Sequence, residues 1–98
     1  VYTADVASRE LSGPTVRSRI VGKHCESGDI MIRDIDLPEG LERGDLLAIP
    51  ATGAYGRSMA SNYNLLARSP VVAVENGEAT LWLRRDTVSD FFAVDPAY

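Results

Sequence analysis

Asn76-Gly77, set between the runs Val71-Val72-Ala73-Val74-Glu75 and Ala79-Thr80-Leu81-Trp82-Leu83, constrains the fold of this chain more than any other feature. An Asn-Gly pair readily takes the two successive positive φ angles of a tight hairpin turn, so the flanking β-branched and aromatic runs are expected to fold back on each other as paired strands. Period-two patterning recurs upstream. Val16, Ser18 and Ile20 alternate with Arg17, Arg19 and Val21 across residues 15–24, and residues 30–37 alternate in the same way before stopping at Pro38. Both patterns suit half-buried strands. Residues 39–45 carry turn chemistry, and Leu46-Leu47-Ala48-Ile49 reads as a short buried strand. Residues 87–93 predict a short helix capped by Thr87, because Val88, Phe91 and Phe92 fall at i, i+3 and i+4. About six short strands then predict an all-β fold, a small antiparallel β-barrel or sandwich with one or two short helical turns.

Composition narrows the function classes. The 98 residues leave room for one domain with a modest core, so residues 1–98 are read as a single unit. A net charge of −4 with no Lys/Arg cluster beyond Arg84-Arg85 argues against nucleic acid, which needs a basic footprint. No run approaches the eighteen or more apolar residues of a membrane span, and the N-terminus lacks a basic-then-apolar leader, so the expected location is the cytoplasm. One Cys and one His exclude an internal disulfide and a zinc site of the usual Cys/His count. The strand-like run of residues 1–7 begins without an initiating Met, which predicts that the chain is a portion of a longer protein.

Chemistry-bearing residues gather in two glycine-punctuated segments, His24-Cys25-Glu26-Ser27-Gly28-Asp29 and Gly53-Ala54-Tyr55-Gly56, the second followed by Ser58-Met59-Ala60-Ser61-Asn62-Tyr63-Asn64. Loops of this kind are where binding and catalytic groups concentrate. On residue chemistry alone Cys25 is as readily a buried inert thiol as an acid, Glu26 a solvated loop carboxylate, and Tyr55 a packed aromatic. Ser27, Gly28 and Asp29 read as turn formers, with Gly28 supplying a positive φ and Asp29 bonding neighbouring amides. His24, at a strand end, reads as a structurally satisfied group. Residues 58–64 predict a helical turn with Met59 and Tyr63 on one face, a supporting segment in which Asn64 has no assigned role.

These motifs, in this order and spacing, closely resemble the C-terminal β domain of the diaminopimelate decarboxylase family, fold-type III pyridoxal-phosphate enzymes. The likeness runs over essentially the whole chain: Arg19-Ile20-Val21-Gly22-Lys23-His24 is similar to the strand leading into the family's Cys-Glu motif, and Gly44-Asp45-Leu46-Leu47 to the strand leading into its Gly-Ala-Tyr loop. Arg57 departs from the aromatic or apolar residue that similar sequences often carry there.

The resemblance implies a two-domain subunit, in which an α/β barrel of some ~250 residues, absent from this chain, carries pyridoxal 5′-phosphate on a lysine. It implies a homodimer whose shared active sites take residues from this domain and a small-molecule amino-acid substrate. Cys25 is then the catalytic proton donor to the substrate α-carbon, Glu26 the partner of the distal ammonium, and Tyr55 a ligand of the cofactor phosphate or substrate carboxylate; no metal is implied. Relatives acting on ornithine, arginine or lysine commonly carry Asp after the cysteine, so Glu26 favours diaminopimelate. An alanine racemase also offers a tyrosine from a β domain but lacks the Cys25–Asp29 run. A non-catalytic β interaction module is the alternative from another class.

Overall fold

In the computed structural model, which describes residues 2–97, nine elements follow one another: β1 (Asp5–Val6), β2 (Thr15–Val21), β3 (Ile30–Pro38), β4 (Leu47–Ala48), α1 (Gly53–Ser58), a 3₁₀ turn (Tyr63–Leu65), β5 (Val71–Glu75), β6 (Glu78–Leu83) and α2 (Val88–Phe92). The six strands among the described residues pair as three antiparallel ladders, β1 with β4, β2 with β3, and β5 with β6. The chain forms two compact units, Val1–Met59 and Ala60–Tyr98. Val1, the start of the strand-like run expected at residues 1–7, lies outside the described residues, and the run pairs only over Asp5–Val6.

In the first unit, the β2–β3 ladder is the principal scaffold, pairing Thr15 with Pro38 at one end and Val21 with Ile30 at the other. Its register slips between Ser18 and Ile20, where the partners step from Ile35 to Ile32. Arg33 and Asp34 of β3 thus oppose the single Arg19 of β2. That extra residue reverses the in–out phase, so Arg33 and Asp34 are both exposed while Ile32 and Leu37, five positions apart, are both buried at 7% and 6% exposure. Arg19 Nε donates to the Arg33 carbonyl at 3.2 Å, satisfying an acceptor where the ladder is irregular. The apolar spacing 30, 32, 35, 37 already contained this slip, which strict alternation does not describe.

β1 and β4 are only two residues each, and a polar cluster lengthens their union. Ala7 N–H donates to the Leu46 carbonyl at 2.7 Å, and Leu46 N–H donates to Ser8 Oγ at 3.0 Å. The Asp45 carboxylate accepts Arg9 Nε and Nη2 at 2.8 and 2.7 Å, the Ser8 hydroxyl at 3.1 Å and the Glu42 N–H at 2.8 Å. Leu46–Ile49 is therefore not the buried strand its apolar run predicts. Only Leu47–Ala48 is strand, and Leu46 is 63% exposed, because nothing in this unit covers it.

In the second unit the hairpin forms as its sequence dictates: Asn76 at φ 52° and Gly77 at φ 75° give the two left-handed turn residues, and Val72 faces Leu81 across the ladder. All six residues of β6 are exposed, Trp82 at 71%. A two-stranded ribbon has two faces and this unit covers neither side of β6. Asp86 binds the chain entering β5, accepting Arg68 N–H at 2.9 Å, Arg68 Nε at 2.8 Å and Asn62 Nδ2 at 2.8 Å. The Thr87 cap holds: Asp90 Oδ2 accepts Thr87 N–H at 2.7 Å, completing a reciprocal capping box, and Arg84 clasps the same carboxylate through both Nη atoms. No helix among the described residues is long and apolar enough to cross a membrane.

The helical turn expected over residues 58–64 is displaced. Helix begins at Gly53 and ends at Ser58, and the following 3₁₀ turn contains Asn64 at φ 56° and Leu65 at φ 58°, which break any i, i+4 pairing of Met59 with Tyr63.

Arg9 holds the Asp45 carboxyl well below the usual carboxylate range, and Arg68 does the same for Asp86, each chiefly through side-chain hydrogen bonds. A carboxyl depressed in the folded state adds stability that is present above its unfolded value near pH ~4 and is lost as pH falls below it. Stability followed by circular dichroism should therefore hold from neutrality to mild acid and fall on further acidification. Asp86→Asn should flatten that acid limb, and an unchanged limb would show that Asp86 does not couple protons to folding.

Candidate functional site

Gly22–Asp29 joins β2 to β3, and its shape follows from three grips made by Asp29. The Asp29 carboxylate accepts the His24 backbone N–H at 3.1 Å and lies 2.9 Å from His24 Nδ1. Its own N–H donates to the Glu26 carbonyl at 3.1 Å, and its carbonyl accepts the Gly22 N–H at 3.0 Å. The two bonds from His24, the backbone one first, hold the Asp29 carboxyl below its ordinary value, so it stays ionised at neutral pH. Gly22 leaves the space this requires, because a Cβ there would run into the Asp29 carboxylate. His24 is thus the structural group its position suggests, and Asp29 bonds a neighbouring amide as expected.

The positive φ expected at Gly28 falls instead on Cys25, at φ 55°. An L-residue in the left-handed region costs roughly 1–2 kcal/mol, so the flanking bonds must hold it there. The turn over residues 26–29 is closed by the Asp29-to-Glu26 bond, with the left-handed residue three positions upstream of Gly28, which keeps ordinary backbone. Gly28 matters for a different reason: its N–H donates to Glu26 Oε2 at 2.6 Å, and a Cβ at Gly28 would approach that oxygen to 2.8 Å. The Glu26 carboxylate is therefore fixed against its own loop, with the Ser27 hydroxyl 3.4 Å from Oε1. Cys25 and Glu26 are both exposed, so a thiol and an oriented carboxylate stand side by side at the tip of the hairpin.

Tyr55 lies on a different element. The Gly53–Gly56 segment expected as a loop is the first part of α1, closed by Gly56 N–H on the Thr52 carbonyl at 2.7 Å and Met59 N–H on the Tyr55 carbonyl at 2.9 Å. Two glycines in six residues oppose helix by about 1 kcal/mol each, which is why the sequence reads as loop; these local bonds override that preference. Tyr55 is 69% exposed, and nothing lies within 4 Å of a Cβ placed at Gly53 or Gly56. The structure thus places Cys25 and Glu26 together and Tyr55 on a separate helix, all three within the first unit. Sequence reasoning missed Gly22 and the pairing of His24 with Asp29; an acid five residues after a histidine, across a strand-to-strand turn, was the available signal. Among the described residues no group of three or more His, Cys, Asp or Glu side chains gathers to hold a metal.

Since Cys25 is the sole cysteine and is exposed, a disulfide-exchange reagent such as dithiobis(nitrobenzoate) should titrate one thiol per 98-residue chain without denaturant. Reaction only after unfolding would contradict this placement.

Residues 2–53 match the family described as pyridoxal-dependent decarboxylase, C-terminal sheet domain, a span that includes Cys25 and Glu26 and ends before Tyr55. The chain is 49% identical over 94 residues to a diaminopimelate decarboxylase of Mycobacterium bovis, covering 96% of this chain, and 52% identical over 94 residues to that of Bacillus subtilis, again covering 96%. A crystal structure of diaminopimelate decarboxylase superposes over 95% of the chain with a TM-score of 0.78 and 39% identity. The chain spans 21% of the length of both sequence relatives and 24% of the solved chain. With a family match over more than half its residues and a pair of relatives near 50% identity along nearly all of it, the chain belongs to the C-terminal sheet-domain family of the pyridoxal-dependent decarboxylases.

Proposed function

We propose that residues 1–98 form the C-terminal domain of a cytoplasmic, homodimeric, pyridoxal-phosphate-dependent decarboxylase that converts meso-diaminopimelate to L-lysine and carbon dioxide. The observation that carries this reading is the hairpin tip at Cys25-Glu26, where an exposed thiol sits beside a carboxylate already oriented by Gly28 N–H, in a chain whose relatives are named for that activity. Exposed apolar side chains in each unit, Leu46 and Met59 in the first and Val74, Leu81 and Trp82 in the second, support contact of each with further polypeptide.

The residues present fit the rim of a pyridoxal-phosphate site rather than its cradle. The chain has a single lysine, Lys23, exposed in the hairpin loop, whereas Tyr55 offers a solvent-facing phenol between two glycines with open space beside them. Other parts of the dimer must then hold most of the cofactor. The chemistry supplied by bound pyridoxal phosphate is an acceptor for the electron pair left when the carboxylate departs. The residues of this chain do the rest of the work proposed here. Tyr55 Oη donates a hydrogen bond to the cofactor phosphate or substrate carboxylate. The Cys25 thiol delivers its proton to the α-carbon, the general-acid role open to an S–H donor. The Glu26 carboxylate accepts the distal ammonium of the substrate while Gly28 fixes its direction.

In the full-length enzyme Cys25→Ala should leave cofactor absorbance per subunit unchanged and lower kcat by the ~10²–10⁴-fold typical of a lost general acid. Wild-type turnover in that variant would reduce the thiol to packing. Glu26→Gln keeps an oxygen for Gly28 N–H and removes the charge, so kcat/KM for diaminopimelate should drop about ten- to a hundredfold, the equivalent of ~1.5–3 kcal/mol. Ornithine as the better substrate, or an unaffected diaminopimelate rate, would overturn the choice of substrate. Mixing a Tyr55→Phe subunit with one lacking the cofactor-bearing lysine should restore activity through one intact hybrid site; inactive mixed dimers would rule out shared sites.

A further inference from the structure

We propose that Asp29 is the positioning residue for Cys25, a role that rests on the reading of Cys25 as proton donor. Cys25 stands in the left-handed region at φ 55°, and the direction of its thiol is therefore set by whatever holds the backbone on either side. Asp29 holds both sides. Its carboxylate takes the N–H of His24, the residue before, at 3.1 Å and faces His24 Nδ1 at 2.9 Å. Its main-chain N–H takes the carbonyl of Glu26, the residue after, at 3.1 Å. Its carbonyl meanwhile binds Gly22 N–H at 3.0 Å, anchoring the assembly to the end of β2. The carboxylate occupies the space where any side chain on Gly22 would start, so Gly22 is the second component of the same device. Removal of the Asp29 side chain releases His24 and with it the constraint that turns Cys25 outward, while the Glu26–Gly28 bond on the far side of the turn does not depend on that side chain.

The test measures kcat, KM and cofactor absorbance in the full-length enzyme for Asp29→Ala, Asp29→Asn and Gly22→Ala, each alone and combined with Cys25→Ala. Asp29→Ala should lower kcat by roughly a hundredfold, the loss expected from a reacting group displaced by about 1 Å, with KM and cofactor absorbance moving far less. Asp29→Asn, which keeps an acceptor for His24 N–H, should recover most of that loss. In the Cys25→Ala background the further change from Asp29→Ala should stay within about twofold, because the two residues act as one unit. Gly22→Ala should give the same loss and the same non-additivity, which keeps the test decisive if Asp29→Ala does not fold. Losses that multiply in the double variants would overturn the proposal, since a group that only supports the fold costs the same with or without the thiol. A disabled Cys25→Ala enzyme beside a fully active Asp29→Ala enzyme overturns the positioning role alone. A fully active Cys25→Ala enzyme removes the proton-donor reading and this proposal together.

Discussion

Aspartate carboxylates that each collect donors from several segments hold this chain where apolar packing is thin. Among the described residues only Ile32 and Leu37 are buried hydrophobic side chains, too little to fix eight connections by burial alone. Asp45 joins Ser8, Arg9 and the turn before β4; Asp86 joins Asn62 and Arg68; Asp90 joins Arg84 to the start of α2; Asp29 grips His24 through its carboxylate and Gly22 and Glu26 through its main chain. An ionised carboxylate has about four lone-pair sites and so satisfies several donors at once, and charge-assisted bonds are stronger than neutral ones. A network of this kind sets loop geometry without demanding a large core.

The same device connects fold to chemistry at the tip of the β2–β3 hairpin. The bulge in β3 leaves Ile32 and Leu37 both buried, and the ladder delivers its two ends close together. Asp29 then closes the eight residues between those ends into a fixed shape. Cys25 is strained and exposed, Glu26 is oriented and exposed, and neither depends on a pocket formed by this chain. Such a tip is suited to serve a site whose remaining walls belong to other polypeptide.

Much of this was legible in the sequence. Asn76-Gly77 permits few turns, so the β5–β6 hairpin followed directly. Thr87 specified a helix start, and the alternation of residues 15–24 and 30–37 specified two strands, found at Thr15–Val21 and Ile30–Pro38. The family was legible too, because the Cys25–Asp29 run and the Gly53–Asn64 run recur at a recognisable spacing. Four expectations failed. Helix at Gly53–Ser58 overrode two glycines, the helical turn expected over residues 58–64 broke at Asn64 and Leu65, the left-handed residue proved to be Cys25 rather than Gly28, and Leu46 was exposed rather than buried.

The sequence by itself determined the elements whose signals are short-range: the tight turn, the capped helix, the paired strands and the identity of the motif residues. These depend on intrinsic φ preferences and on side-chain bonds within a few positions, which any reader of the chain can enumerate. Only the tertiary structure decided which backbone position absorbs the strain at the hairpin tip and that the Asp29 carboxylate fills the space left by Gly22. Those outcomes depend on where β2 and β3 bring their ends. A pairwise approach of that kind is set by ladder register and bulges, not by the preference of any single residue.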